Sequence, residues 1–200
     1  MLVAESIIRL HHSHIFEARA PDNDRVVNIH WTLEAWFSEL PAELTISEQS
    51  STAPLPHVIM LNILYWWLVL RLHKPYYRRA SNRNASSTNV LRPFGDLSDT
   101  LCDRAARSIM LLVGLYSRWH GSRFFPRNMI QAVFSAGSML VQWQASLTEA
   151  ETARQTSNPG LIFECISTLR AIAETWPWAE GYVNQLQAVL QDRTPQPQTQ

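Results

Sequence analysis

His11, His12 and His14 crowd into four positions near the start of this 200-residue chain. His11 and His14 stand three apart, a spacing that puts two imidazoles on one helix face, where they could ligate a metal. Glu17 is the nearest carboxylate on that face and no cysteine accompanies the group, so these are read as surface or partly buried histidines. Cys102 and Cys165 are the only cysteines. Neither belongs to a Cys-x-x-Cys pair, and free cysteine is among the most buried residue types, so both are read as core. Two cysteines also exclude a multi-disulfide scaffold and a zinc site built on four thiolates. Asp99 and Asp103 share a helix face, as paired carboxylates for acid–base work would. Arg104 and Arg107 stand at pairing distance along the same helix, and a solvated ion-pair face is the reading taken.

Weaker signals lie between the helical segments. Arg78-Arg79-Ala80-Ser81 would suit a basophilic kinase, and a phosphate there would sit beside Arg83. Asn84-Ala85-Ser86 fits a glycosylation acceptor, which has meaning only in a secreted chain. No G-x-S-x-G, phosphate-binding glycine loop, H-E-x-x-H or zinc-finger spacing occurs. The sequence therefore predicts a chain with no catalytic residues, no resident cofactor and no metal site of its own.

Charge is balanced overall but segregated along the chain. Residues 1–48 carry eight acids and three arginines, residues 49–148 three acids and eleven bases, and residues 149–200 six acids and three arginines. No acid occurs from Gln49 to Gly95, and Lys74 is the only lysine. Arginine favours planar, bidentate and stacked contacts. Arg71, Lys74, Arg78, Arg79, Arg83 and Arg92 are thus a candidate basic surface for phosphate or nucleic acid. Pairing of these bases with the acidic ends of the chain, or a codon bias toward arginine, is the preferred alternative.

The elements that must position these residues read as helices throughout. Hydrophobic residues make up 46% and charged residues 17%, and there are eight tryptophans. That composition points to a globular, intracellular, helical chain that is short of charge for a free surface. The stretch Val58–Leu70 is the most apolar, yet thirteen residues of helix rise only about 20 Å against a bilayer core of about 30 Å. A membrane association is not expected. Hydrophobic periodicity predicts seven helices, at about 4–19, 24–40, 57–77, 99–119, 126–143, 161–176 and 179–191. Pro41, Pro75 and Pro177 break the pattern, Gly121 stops it, Ser98 is the expected cap of the fourth helix and Pro126 the expected first residue of the fifth. Asn158-Pro159-Gly160 reads as a turn, and residues 80–92 as loop. The third helix is apolar nearly all round and requires neighbours on most sides. The fold class is all-α, an irregular bundle of about seven helices, with residues 193–200 a disordered polar tail.

Five of these segments resemble a known family. LEAWFSELPAEL (33–44), PHVIMLNILYWWLVLRLHKPYYRR (56–79), CDRAARSIMLLVG (102–114), FFPRNMIQAVFSAGSML (124–140) and CISTLRAIAETWPWAEGYVNQLQAVL (165–190) follow one another in a familiar order. Together they look like the C-terminal half of the fungal-specific transcription factor domain, the middle homology region of fungal Zn(II)2Cys6 zinc-cluster regulators, in a branch similar to the nitrate regulators. The likeness spans about residues 30–190, and residues 1–192 are read as a partial regulatory domain.

The resemblance implies an incomplete all-helical domain, a nuclear location and a role in restraining or transmitting activation. It also implies protein partners: a second copy, other family members or the transcription machinery. Zinc and base-specific DNA contacts belong, in that family, to an N-terminal six-cysteine cluster that this sequence does not contain. Two alternatives stand beside it. One is a free-standing helical module that modulates full-length family members, motivated by the apolar face a half-domain would expose. The other is a small-molecule sensor in which Trp66, Trp67, Tyr76, Tyr77 and Trp143 line an apolar pocket.

Overall fold

A computed structural model of the chain describes residues 23–46, 53–77, 92–146 and 158–191. These residues form six α-helices, and no strand occurs among them. The helices are α1 (Asn23–Ser38), α2 (Pro56–His73), α3 (Arg92–His120), α4 (Ile130–Ser146), α5 (Asn158–Ala173) and α6 (Glu180–Gln191). Short 3-10 turns at Ala42–Leu44, Lys74–Tyr76, Ser122–Phe124, Arg127–Met129 and Pro177–Ala179 change the chain's direction. The first predicted helix, at about 4–19, lies outside the described residues, as does the 193–200 tail.

Helix ends follow the punctuation in the sequence. Pro56 opens α2, where its missing N–H is no loss, and the Val58 and Ile59 amides donate to the Leu55 carbonyl at 3.0 and 3.2 Å. Arg71 and His73 occupy the last turn, where positive charge suits the carbonyl end, and Pro75 turns the chain out of the helix. Gly121 stops α3 with φ of 81°, a conformation closed to most other residues.

Three boundaries differ from expectation. Ser98 does not cap a helix: α3 begins at Arg92, six residues earlier, with Pro93 in its first turn. A proline in a first turn is a starting signal, and here the helix starts at Arg92, the last residue of the 80–92 stretch that composition marked as loop. Asn158-Pro159-Gly160 is not a turn but the opening of α5, for the same reason. Pro126 precedes the Arg127–Met129 turn, and α4 proper begins at Ile130.

Sequence neighbours are spatial neighbours. α2 packs along α3, α3 on α4, α4 on α5 and α5 on α6, while α6 returns to α4. One continuous apolar core results, built around Ile59, Ile63, Leu70, Ile109, Met139 and Leu169. α1 leans on α2 through the stripe Val26, Ile29 and Leu33, with Phe37 stacked on Tyr65 at 3.8 Å between ring centres. Trp31 and Trp36, on the same helix, face outward.

The all-round apolar α2 finds its neighbours. Val58, Ile59, Ile63, Tyr65, Val69 and Leu70 are buried around its circumference, covered by α1, α3 and α4 and by the turns at both ends. Asn62, the polar residue inside this run, is also buried. Its amide donates to the Leu44 carbonyl at 3.0 Å and to the Val58 carbonyl at 2.8 Å, tying the first 3-10 turn to α2. No helix of the described residues is long and apolar enough to cross a membrane.

Candidate functional site

Two places gather chemistry-bearing side chains. The first is a buried relay where α1, α2 and α3 meet. His73, in the last turn of α2, has no exposed surface. Its Nδ1 lies 3.1 Å from the Ser98 hydroxyl on α3, and its Nε2 lies 3.3 Å from His30 Nδ1 on α1. His30 Nε2 reaches Glu34 Oε2 at 3.3 Å, one helical turn further along α1.

Donor and acceptor chemistry sets the direction of this chain. An ionised carboxylate only accepts, so His30 Nε2 carries the proton toward Glu34. His30 Nδ1, in the neutral ring, is then an acceptor, and His73 Nε2–H donates to it. That leaves His73 Nδ1 as the acceptor for the Ser98 O–H. Every nitrogen and the hydroxyl are satisfied by one tautomer set. Burial lowers the pKa of His73 to about 3, helped by His30 beside it. Burial also lowers His30, against the pull of Glu34. Both rings are therefore neutral at pH 7.

A serine on a histidine that leads to a carboxylate has the parts of a nucleophile and its base. Ser98, however, has no exposed surface, so no substrate carbonyl reaches its hydroxyl in this conformation. The relay instead joins three helices through one satisfied polar chain, as a buried network does when it fixes a register.

The second place is a trough along α4. A groove of about 560 Å³ lies between α4 and α6, lined by Phe134, Ser138, Val141, Leu186 and Val189 and bounded by Lys74. A smaller hollow of about 320 Å³ lies beside the end of α2, between Trp67, Arg71 and Lys74 on one side and Gln131 and Ser135 on the other. Lys74 borders both. It is an exposed residue, yet the packing around its ammonium withdraws enough water to lower its pKa. The Trp67 indole N–H donates to Ser135 Oγ at 3.4 Å, and the Arg71 guanidinium lies 5.4 Å from the Trp67 ring centre.

The sequence-predicted residues are dispersed by this arrangement. Of the candidate basic surface, Arg71 and Lys74 come together at the trough. Arg78, Arg79 and Arg83 lie outside the described residues, and Arg92 is described only as the first residue of α3. The five aromatics do not converge on one pocket. Tyr76 and Trp143 are buried in or beside the core, and Trp66, Trp67 and Tyr77 are half-buried against it. Of the five, Trp67 lines the hollow beside the end of α2. The arginines explain part of this: Arg104 lies over Trp66 at 5.2 Å and Arg107 over Trp143 at 4.9 Å.

Cys102 and Cys165 are fully buried, as expected. Burial pushes both thiols up, Cys165 to about 12, so neither is a reactive thiolate. Among the described residues no group of three histidines, cysteines or carboxylates could hold a metal. The His11–His14 cluster, the Arg78–Ser81 kinase motif and the Asn84–Ser86 acceptor lie outside the described residues.

Sequence reasoning missed the relay. Its signals were faint: His30 sits four residues after Val26 on the inward stripe of α1, and Ser98 was read as a cap. Comparison with known proteins is negative throughout, since no family model, curated protein or solved structure matches the chain.

Proposed function

We propose that the chain is the regulatory, interaction-bearing half of a fungal zinc-cluster transcription regulator, with no catalytic role. The observation that carries this reading is the ordered set of five sequence blocks at 33–44, 56–79, 102–114, 124–140 and 165–190. Their positions support it further. They supply the end of α1, then α2, the middle of α3, α4, and α5 with α6, which pack in that order around one core. The burial of Ser98, His73, Cys102 and Cys165 also favours a packing role for the residue types that could do chemistry. In this reading the partners are zinc-cluster regulators or a second copy, and the site of action is the nucleus. Zinc binding and base recognition fall to a six-cysteine segment absent from these 200 residues.

The test is co-purification from fungal cells expressing the tagged chain. Expected are nuclear accumulation and recovery of a full-length zinc-cluster regulator. Both should be lost with Ile109→Asp, which places a charge at a fully buried core position. Exclusion from the nucleus, or regulator recovery equal for the native and Ile109→Asp chains, would contradict the reading.

A further inference from the structure

We propose that the trough along α4 binds an amphiphilic carboxylate, with its head group at Lys74 and its apolar tail lying over Phe134 toward Val141, Leu186 and Val189. The inference stands apart from the regulator reading, because it uses only the shape and charge of this surface.

Four observations carry it. The trough has a polar and an apolar part. Beside the end of α2 its walls include Arg71, Lys74, Gln131 and Ser135, and against α6 they include Phe134, Val141, Leu186 and Val189, with Ser138, Gln142 and Gln185 among them. The α4 residues that line it run from Gln131 to Gln142, about 16 Å of helix, which is the reach of a medium-length acyl chain. Its larger part has a volume of about 560 Å³, within the range of about 300–1,000 Å³ in which small-molecule sites fall.

The fourth observation is charge. Among the described residues no carboxylate pairs with Lys74, and the sequence holds no acid from Gln49 to Gly95. A cation at the mouth of an apolar channel, with water already partly withdrawn from it, gains a charge-assisted hydrogen bond when an anion arrives.

An acidic helix is the poorer fit. It would present charge at every turn and need cations along both walls, but beyond Arg71 and Lys74 at one end the walls are apolar or neutral. One head and one tail match one cationic end and one apolar run.

The test titrates the whole chain with dodecanoate, dodecanol and dodecyltrimethylammonium, each below its micelle-forming concentration, followed by calorimetry and NMR. Expected is saturable one-to-one binding of dodecanoate. Dodecanol should bind about tenfold or more weakly, as loss of one charge-assisted bond implies, and the cationic amphiphile should not saturate. Lys74→Gln should weaken dodecanoate by a similar factor and leave dodecanol unchanged. Val189→Asp, at a part-exposed wall position, should weaken both with the helical circular dichroism intact. Absence of saturable dodecanoate binding overturns the proposal. So do equal binding of the three head groups, wild-type affinity in Lys74→Gln, and binding to anionic phospholipid vesicles alone.

Discussion

His73 is held neutral in the core, and that has a thermodynamic signature. In the unfolded chain its imidazole takes a proton near the ordinary histidine pKa of about 6.5, whereas in the folded chain it does so only near 3. The unfolded state therefore binds more protons between those values. The stability His73 contributes is fully present above about pH 6.5 and is lost as pH falls toward 3. For this one group the loss between pH 7 and pH 5 is about 2 kcal/mol. His30, shifted in the same direction, adds to the loss over the upper part of that window. Urea unfolding at the two pH values should show His73→Phe with a shallower decline than the native chain, by about that amount. Parallel declines would mean that the imidazole is not buried neutral. Single residues were legible in the sequence where type alone decides, as for the two buried cysteines. The relay was not, because His30, His73 and Ser98 are 43 and 25 positions apart and only the fold brings them together.

Helices were legible because their apolar periodicity is long and their breakers are strong. Pro75 and Gly121 act where the sequence says they should. Starts were less legible than stops. Pro159 was read as part of a turn, although a proline in a first turn opens a helix as readily as it ends one. Inter-helix closeness was not legible at all, and Gly137 is the clearest case. A Cβ there would lie 2.6 Å from Cys165 Sγ on α5 and 3.0 Å from Leu186 Cδ1 on α6, so the glycine lets α4 approach both helices. Alanine is the better helix former by about 1 kcal/mol, but the clash opposes that gain. Gly137→Ala should lower stability by about 1–3 kcal/mol, as overpacking of a close-packed core does. A drop in the urea midpoint at unchanged slope would show it, and an unchanged or raised midpoint would mean that α4 stands further from its neighbours.

Across the whole molecule, composition located the pressures but not their resolution. The apolar α2 demanded neighbours, and α1, α3 and α4 provide them, burying Val58, Ile59, Ile63, Tyr65, Val69 and Leu70 and leaving Met60, Leu64, Trp66, Trp67 and Leu68 half-buried. The surplus of arginine over lysine finds part of its use in stacking. Arg71, Arg104, Arg107 and Arg127 each lie over a tryptophan ring, at 4.9 to 6.0 Å from its centre. Lysine would not reproduce such planar contacts. One ion pair between the basic middle and the acidic C-terminal end joins Arg123, outside the candidate basic surface, to Glu174, with Nε 3.6 Å from Oε2 on the surface. Exposed pairs of this kind contribute at most about 1 kcal/mol, so they orient the surface more than they hold the fold. Stability rests instead on the core shared by all six helices, α1 included through Val26, Ile29 and Leu33, and on the relay that joins α1 to α2.

The most direct measurement of the regulatory reading places the whole chain between a heterologous DNA-binding domain and an activation segment in a fungal reporter strain. The native chain should lower reporter output several-fold relative to a fusion without it, and Ile109→Asp should restore the output at equal protein level. Output equal to that of the fusion lacking the chain, from a folded and equally abundant protein, would contradict a role in restraining or transmitting activation.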